Sequence, residues 1–209
     1  MKMGTYLNPG NSGFSDIRQA KYVDKSGMIS IVNSTLSTPF KLTCVSRPRR
    51  FGKSYAAQML CAYYDMSCDS GHLFEDLKIA GMPGYEEHLN RYPVIYLDMA
   101  GIKAMCDGYA TLVPFIKERI TQELRDAYPA LMPKQDFLAV LIDTVSLTGA
   151  RFIMIIDEWD APLREGIGEA GDLLYLDFLR SLFKNSGVTS KLFAAVYMTG
   201  ILPIRKIKT

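Results

Sequence analysis

Residues 46–54 read Ser46-Arg47-Pro48-Arg49-Arg50-Phe51-Gly52-Lys53-Ser54, and they lie between an apolar segment typical of a β-strand and a segment of helical composition. The Gly-Lys-Ser end of this stretch matches the second half of the phosphate-binding loop G-x-x-x-x-G-K-[ST]. A strand that runs directly into a helix N-terminus presents unpaired backbone N–H groups at the positive end of the helix dipole, where anions bind. The sequence therefore predicts a strand, a phosphate-binding loop (a variant Walker A) and a helix.

The residue types at the end of this loop suit the phosphates of a nucleotide. Gly52 lets the backbone approach closely because it has no Cβ, Lys53 can extend its ammonium group along the β- and γ-phosphates, and Ser54 offers a hydroxyl to Mg²⁺. Arg47 stands where the motif has its first glycine, and Pro48 restricts Arg47 to extended conformations, so we expect the entry to the loop to differ from the usual one. The residues predicted to bind the nucleotide are Arg49, Arg50, Phe51, Gly52, Lys53, Ser54 and Tyr55.

A second motif, a Walker B, runs from Ile153 to Glu158. The apolar residues 152–156 predict a buried strand, and Asp157 and Glu158 follow at its carboxyl end. Asp157 is expected to hold Mg²⁺, usually through a water molecule, and Glu158 to orient and deprotonate the attacking water. Because open α/β sheets bind ligands at the carboxyl ends of their strands, we expect these carboxylates on the rim of the phosphate loop, which would follow a neighbouring strand. The alternative, a simple surface turn at Asp157, is disfavoured by the apolar run before it.

Four further residues are candidates that also have a purely structural interpretation. Thr199 ends the last predicted strand and either contacts the γ-phosphate or the attacking water, or has no role beyond the strand end. Asp98 ends another strand at the same rim, where it either supports the site or caps a helix. Asp160 is expected to fix the loop after the acidic pair, and a packing role is favoured for Trp159.

The order of apolar and amphipathic segments predicts the fold class. Short apolar strands that alternate with helices are typical of a parallel sheet covered on both faces. We therefore expect an α/β fold of the P-loop NTPase type, a three-layer sandwich with a mainly parallel central sheet. Residues 1–20 are rich in Gly, Asn and Ser and predict a flexible lead-in to a core of residues 21–209, and Asp172 is a candidate N-cap. The predicted strands are 40–45, 93–98, 152–156 and 191–200, and the predicted helices are 28–36, 52–66, 109–127, 137–149 and 172–183.

Composition and charge exclude some classes of protein. The 209-residue chain is 48% hydrophobic, which is ample for a core, and its net charge of +2 is too small to argue for nucleic-acid binding by itself. No apolar stretch approaches the ~20 residues that a membrane span needs, and the N-terminus lacks the apolar region of a secretion signal. The cysteines have no metal-ligand spacing, so we expect a cytoplasmic protein with reduced cysteines and no membrane association.

Several stretches of the chain together resemble the bacterial AAA-ATPase-like family. They are Tyr22-Val23-Asp24-Lys25, Arg47-Pro48-Arg49-Arg50-Phe51-Gly52-Lys53-Ser54, Ile156-Asp157-Glu158-Trp159-Asp160-Ala161-Pro162-Leu163 and Thr199-Gly200-Ile201. The resemblance covers residues 20–201, and it makes Arg47 a family feature. It implies a P-loop ATPase fold that uses ATP and Mg²⁺, with an additional strand at 94–98 between the strand of the phosphate loop and the acidic strand.

The resemblance also implies partners. Longer members of the family continue into a helical region and a domain similar to PD-(D/E)xK nucleases. This sequence stops just after the strand that ends at Thr199 and Gly200, which corresponds to the sensor strand of such ATPases. We therefore expect residues 21–209 to lack the lid and any C-terminal domain. A homo-oligomer or a partner protein would then supply the lid or the arginine finger that stabilises the transition state. Arg49 and Arg50 either neutralise phosphates or point outwards to such a partner. Nucleic acid is expected as a partner only through an absent C-terminal domain.

Three functions compete for these motifs. The first is Mg²⁺-dependent ATP hydrolysis, with catalytic roles for Lys53, Glu158 and Thr199 and metal binding by Ser54 and Asp157. The second is a nucleotide-dependent regulatory switch, which binds ATP with negligible turnover and controls an attached or partner effector such as a nuclease. The third is a small-molecule kinase of the P-loop type, which the acidic doublet disfavours because a kinase's substrate hydroxyl replaces water and needs no such glutamate.

Overall fold

Four parallel strands form the centre of the molecule. The computed structural model describes residues 3–106, 111–133, 136–164, 169–184 and 186–202. The strands are β1 (Leu42–Ser46), β2 (Val94–Asp98), β3 (Phe152–Asp157) and β4 (Phe193–Gly200). They pair in parallel in the order β1-β4-β3-β2. Because helices cover both faces of this sheet, the predicted α/β fold class, a sandwich of the P-loop NTPase type, is confirmed.

Helices make the connections between successive parallel strands, as such a sheet requires. They are α1 (Ser12–Gln19), α2 (Gly27–Thr35), α3 (Lys53–Tyr64), α4 (Tyr85–His88), α5 (Met99–Ala104), α6 (Leu112–Ala127), α7 (Phe137–Thr148), α8 (Ala161–Arg164), α9 (Glu169–Phe183) and α10 (Ser186–Leu192). Two 3-10 helices, Gly71–Leu73 and Lys78–Gly81, lie in the segment before α4. Within the described ranges, no helix combines the length and the apolar character needed to cross a membrane.

The sheet divides the buried apolar side chains into two layers, and β3 shows how. Phe152, Met154 and Ile156 face the layer that includes residues of α5, α6, α7 and α9. Ile153 and Ile155 face the layer that includes residues of α1, α2 and α3. Every residue of β3 is buried, which explains why this strand is a continuous apolar run instead of an alternating one.

Several element boundaries differ from the prediction; for example, the strand expected at 40–45 is Leu42–Ser46, and the helix expected at 52–66 ends at Tyr64. The helix expected to begin at Asp172 already includes Glu169, so Asp172 lies in its first turn and is not its N-cap. The strand expected from residue 191 begins at Phe193, because Lys191 and Leu192 complete α10. Residues 109 and 110 of the helix predicted at 109–127, which corresponds to α6, lie outside the described residues.

β1 is an edge strand of the described sheet, since β4 is its one strand neighbour. Its side chains are more exposed than those of the other strands, and Leu42 retains 46% of its accessible surface. Phe40, just before the strand, is 78% exposed. Among the described residues, the strand that leads into the phosphate loop therefore has one open side.

The N-terminal segment is more ordered than the flexible lead-in expected for residues 1–20. Leu7 and Phe14 are buried, and Leu7 forms an antiparallel bridge with Ile95 of β2. Asn8 is fully buried; its backbone N–H donates to Val94 O at 2.7 Å, and its Oδ1 accepts from Val94 N at 2.8 Å. The segment thus covers the edge of the sheet that β2 would otherwise expose.

Carboxylates from other parts of the chain hold this segment in place, and Asp65 accepts a hydrogen bond from Gly10 N at 2.7 Å. Glu123, on α6, accepts hydrogen bonds from the backbone N–H groups of Thr5, Tyr6 and Leu7 at 3.0, 2.9 and 2.7 Å. Such a contact joins residues more than a hundred positions apart, so local composition gives no sign of it. The Gly- and Asn-rich composition here reflects turn geometry, since Asn8 has a φ of +53°.

Replacing Asn8 by Ala is expected to lower the free energy of unfolding by about 2 kcal/mol, because Val94 N loses a buried acceptor and Ala tolerates a positive φ poorly. Urea unfolding followed by circular dichroism measures the change. Lys21→Ala, which truncates an exposed side chain, is the matched control and should leave the midpoint almost unchanged. Equal midpoints for both variants would show that the segment is not part of the cooperative fold.

Candidate functional site

The carboxyl ends of the four strands lie along one rim of the sheet. Ser46 of β1 pairs in register with Gly200 of β4, and Asp98 of β2 pairs with Asp157 of β3. The prediction that the phosphate loop follows a strand next to the acidic strand is wrong, because β4 lies between β1 and β3. The additional strand between them was expected at 94–98, but that strand is β2, which lies on the other side of β3. The polar end of β4, at Thr199, therefore separates the loop from the acidic pair.

The loop between β1 and α3 takes two left-handed backbone positions. Gly52, the N-cap of α3, has a φ of +70°, and Arg50 has a φ of +68°. Arg47 is not in the left-handed region, and its N–H donates to Gly200 O at 3.1 Å, which continues the pairing of β1 with β4. An arginine at the first glycine position of the motif therefore costs no backbone strain in this loop.

The side chains of the loop are mostly open to solvent. Lys53 is half-buried, and its Nζ donates to Pro48 O at 3.0 Å, so the ammonium closes the loop on itself. The exposed side chains are those of Arg47, Arg49, Arg50, Phe51, Ser54 and Tyr55. Within the described part of the chain, none of the three arginines has an ion-pair partner. The residues predicted to bind the nucleotide thus form one exposed, basic rim.

Asp157 lies across this rim and is buried, with 3% of its surface accessible. The Thr199 hydroxyl donates a short hydrogen bond to Asp157 Oδ1 and accepts one from Glu158 N at 3.1 Å. Thr199 therefore connects β4 to both members of the acidic pair.

The charge of Asp157 is poorly compensated. Burial raises the pKa of Asp157, and the nearby negative charges of Asp98 and Glu158 raise it further. Hydrogen bonds from Ser54 and Thr199 lower this pKa. The net result is a raised pKa. Among the described residues, no cation forms an ion pair with Asp157.

A divalent cation fits this arrangement of oxygens. Mg²⁺ prefers oxygen ligands and commonly takes only one or two from the protein, with waters and substrate phosphates completing its shell. The Ser54 hydroxyl and the Asp157 carboxylate are donors of this kind, and a bound cation would offset the burial and the nearby negative charges that raise the pKa of Asp157. In the described ranges, no group of three or more His, Cys, Asp or Glu side chains forms a metal cluster, so any metal here depends on such additional ligands.

Glu158 is engaged with an arginine that sequence reasoning missed. Arg164, at the end of α8, donates from one terminal nitrogen to Glu158 Oε2 at 2.9 Å, and its Nε lies 3.1 Å from Asp160 Oδ2. Asp160 is fully buried. Glu158 also has a φ of +51°, an unusual value for this residue type. The carboxylate predicted to activate water is therefore held by a guanidinium.

The other acidic candidates have structural roles. Asp160 accepts from Ile201 N at 2.9 Å and from Leu202 N at 2.8 Å, so it fixes the loop after β3 to the chain after β4, as expected. Asp98 accepts from two backbone N–H groups at the start of α5, which is the helix-capping alternative. Trp159 is buried, in agreement with a packing role.

Arg164 and Lys25 contact the site, although no role was predicted for either of them from the sequence. Arg164 lies four residues after Asp160, a spacing that places two side chains on one helical face. The contact between Asp160 and Arg164 could therefore have been predicted from the sequence. Lys25 donates to Phe51 O at 2.5 Å across a separation of 26 residues. No local sequence pattern predicts that contact.

The parallel sheet, the loop-to-helix junction at Lys53 and the acidic end of β3 define a P-loop NTPase-like α/β domain. A family model described as Predicted AAA-ATPase matches residues 9–208, and the chain belongs to this AAA-ATPase-like family. A comparison with the curated proteins found no match.

Asp157→Asn is expected to raise the stability of the protein at pH 7. Because the pKa of Asp157 is raised on folding, the cost of its charge is fully present above the folded-state pKa and disappears as the pH falls towards 3.8, the ordinary value. The asparagine Oδ1 can still accept from Thr199. Urea midpoints of wild type and variant, measured from pH 7 downwards, should converge, whereas Asp16→Asn, at an exposed site, should show no gain at pH 7. A variant less stable than wild type at pH 7 would contradict this account.

Arg164→Ala should destabilise the protein by about 3 kcal/mol, because it leaves the buried Asp160 carboxylate without its cation. Arg180→Ala removes an exposed ion pair with Asp177 on α9 and should have little effect. Urea unfolding of the two variants provides the comparison. Similar midpoints would mean that the Arg164 contacts contribute nothing to stability.

Proposed function

We propose that this chain is an ATP-binding domain that hydrolyses ATP with Mg²⁺ at the carboxyl rim of its sheet. The observation that carries the proposal is the convergence on one rim of the loop that ends in Lys53 and Ser54 with the acidic pair Asp157 and Glu158. In a polyphosphate–Mg²⁺ complex, the anionic phosphates would bind the basic loop, and the cation would bind the acidic pair. Membership of the AAA-ATPase-like family supports the same conclusion.

In this proposal the chain's residues divide the work between binding and chemistry. The backbone N–H groups of the Walker A loop and the Lys53 ammonium bind the phosphates, and Ser54 and Asp157 hold the metal. Mg²⁺ supplies charge neutralisation of the phosphates when it is bound. Glu158 positions water and accepts its proton, and Thr199 lies beside Asp157 to contact the γ-phosphate or that water.

The loop side chains complete the proposed binding site. Arg49 and Arg50 add positive charge beside the phosphates, and Phe51 and Tyr55 offer exposed aromatic surface to the rest of the nucleotide. ATP is the proposed nucleotide because of the family; the loop residues themselves recognise phosphate.

The second candidate, a nucleotide-dependent switch with negligible turnover, is favoured by one observation. Glu158 is paired with Arg164 at 2.9 Å, and a carboxylate held in this way is not free to turn towards a water. If the pair persists with ATP bound, the domain binds nucleotide and hydrolyses it poorly. ATP occupancy would then control an effector.

We also propose a bacterial cytoplasmic setting and a partner for the domain. Its four cysteines are free thiols, which suits a reducing compartment. A second copy or a partner protein would supply a lid or an arginine finger, and the controlled effector would be of the nuclease type found in longer proteins that the sequence resembles. Nucleic acid would be contacted only through that effector.

The two functions are separated by the ATP affinity and turnover of wild type, Glu158→Gln and Lys53→Ala. If the domain hydrolyses ATP, Glu158→Gln should lower turnover by roughly 100-fold or more and leave the affinity for Mg²⁺–ATP nearly unchanged. Lys53→Ala should weaken ATP binding by about 10-fold or more. Calorimetry and phosphate release provide the measurements.

The exposed residue Glu118 on α6 supplies a matched control, since Glu118→Gln should change neither quantity. Tight ATP binding without wild-type turnover would establish the switch in place of the ATPase. A Lys53→Ala variant that binds ATP as well as wild type would contradict both functions.

A further inference from the structure

Lys25 reaches the phosphate loop from outside it. Its Nζ donates to Phe51 O at 2.5 Å. A Cβ built on Gly52 would lie 2.5 Å from the same Nζ, so the ammonium occupies the space that a side chain at Gly52 would take. Glycine at this position therefore has two effects: it permits the left-handed backbone, and it leaves space for the Lys25 ammonium.

The backbone around Lys25 is fixed by Asp24 and Ser26. Asp24 accepts from Ser26 N at 2.7 Å and from Lys78 N at 2.9 Å. Burial alone would raise the pKa of Asp24, but these hydrogen bonds outweigh it and hold the pKa below its ordinary value. Ser26 is fully buried, and its Oγ accepts from Ile79 N at 3.1 Å. The chain before α2 is thus attached to the 3-10 helix at Lys78–Gly81.

Tyr22 attaches the same segment to α3. Its hydroxyl accepts from Lys25 N at 3.2 Å and donates to Met59 Sδ at 3.3 Å. Its ring meets the edge of the buried Phe14 ring at a centroid distance of 5.5 Å. Because α3 is the helix that begins at the loop, these contacts fix the base of the Lys25 side chain relative to the phosphate site.

Positive charge accumulates around the loop without neighbouring carboxylates to neutralise it among the described residues. Lys25 and Lys53 both donate to carbonyl oxygens of the loop, those of Phe51 and Pro48. In the described part of the chain, no ion pair neutralises the cations of this rim. Like charges gathered without counter-ions destabilise the free protein and favour the binding of an anion. The cations are Lys25, Arg47, Arg49, Arg50 and Lys53.

We propose that Lys25 is a second phosphate-binding lysine of the nucleotide site, which the Tyr22-Val23-Asp24-Lys25 segment holds over the loop. This rests on the proposed nucleotide binding. An ammonium has three donors, so Lys25 can keep its bond to Phe51 O and give another N–H to a phosphate oxygen. Hydrogen bonds between ions are stronger than those to a neutral carbonyl, so bound phosphate gains more from Lys25 than the free loop does.

The test compares Mg²⁺–ATP and Mg²⁺–ADP affinities of wild type, Lys25→Ala, Lys25→Arg and Lys53→Ala by calorimetry. Lys25→Ala should weaken ATP binding by about 10-fold, and Lys25→Arg, which keeps the charge, should stay within about 3-fold of wild type. The exposed Lys21, four residues earlier, supplies the control Lys21→Ala, which should bind ATP like wild type. The thermal midpoints of the nucleotide-free variants should be similar, since the anchoring contacts of the segment come from Tyr22, Asp24 and Ser26.

A measurement on the unmodified protein keeps the proposal testable if Lys25→Ala does not fold. Acetylation of lysine side chains, read by mass spectrometry, should slow at Lys25 and Lys53 when saturating Mg²⁺–ATP is present and should not slow at Lys21. Lys25 acetylated equally fast with and without ATP would overturn the proposal.

The outcomes separate this inference from the function on which it rests. If Lys53→Ala loses ATP and Lys25→Ala binds it like wild type, Lys25 only closes the loop, and the inference alone is wrong. If Lys25→Ala lowers the thermal midpoint and Lys25→Arg does not restore ATP affinity, the role is structural and the inference is again wrong. If wild type does not bind ATP, the proposed function and the inference both fail.

Discussion

The pairing of β4 with β1 on one side and with β3 on the other determines where the phosphate loop and the acidic pair lie. All eight residues of β4 are buried. Its ladder fixes how far the phosphate loop lies from the acidic pair, and it places the Thr199 hydroxyl between Asp157 and Glu158. A slip of one residue would turn every side chain of the strand to the opposite face, so both apolar layers oppose it. Backbone pairing thus sets the geometry of the site.

The rim keeps its positive and negative groups apart. Lys53 contacts a loop carbonyl instead of a carboxylate, and Asp157 has a raised pKa because it is buried without a cation. Glu158 is the exception, since Arg164 neutralises it. Unpaired charges of both signs cost stability in the free protein, and such arrangements are common at functional sites. A ligand that carries both an anionic chain and a divalent cation would satisfy both groups.

The sequence predicted the parts of the molecule that short-range patterns determine. The apolar runs before Asp98 and Asp157 identified buried strands, and the Gly52-Lys53-Ser54 stretch identified the start of a helix. The N-terminal segment was misjudged because its order comes from Glu123 on a distant helix. The place of β4 between β1 and β3 was also missed, since strand order is a property of the whole fold.

For the candidate site, the sequence predicted where the motif residues lie but not what their side chains contact. The motif residues lie on one rim because parallel strands end together, but the state of each side chain depends on neighbours that the motifs do not include. Arg164 changes what Glu158 can do, and the helix that carries this arginine, α8, is only one turn long and was not predicted. Arg47 is unstrained because the left-handed backbone falls at Arg50 and Gly52 instead.

The open side of β1 has a mechanical consequence for the molecule. An edge strand offers unpaired backbone groups to any extended chain that approaches it, and here the neighbouring Phe40 and Leu42 add exposed apolar surface. The far edge of the sheet is covered by the N-terminal segment, so strand addition is directed to the β1 side. β1 runs straight into the phosphate loop. Any chain that paired with β1 would therefore stiffen this loop, and contacts on this flank of the domain would alter the phosphate binding that we propose.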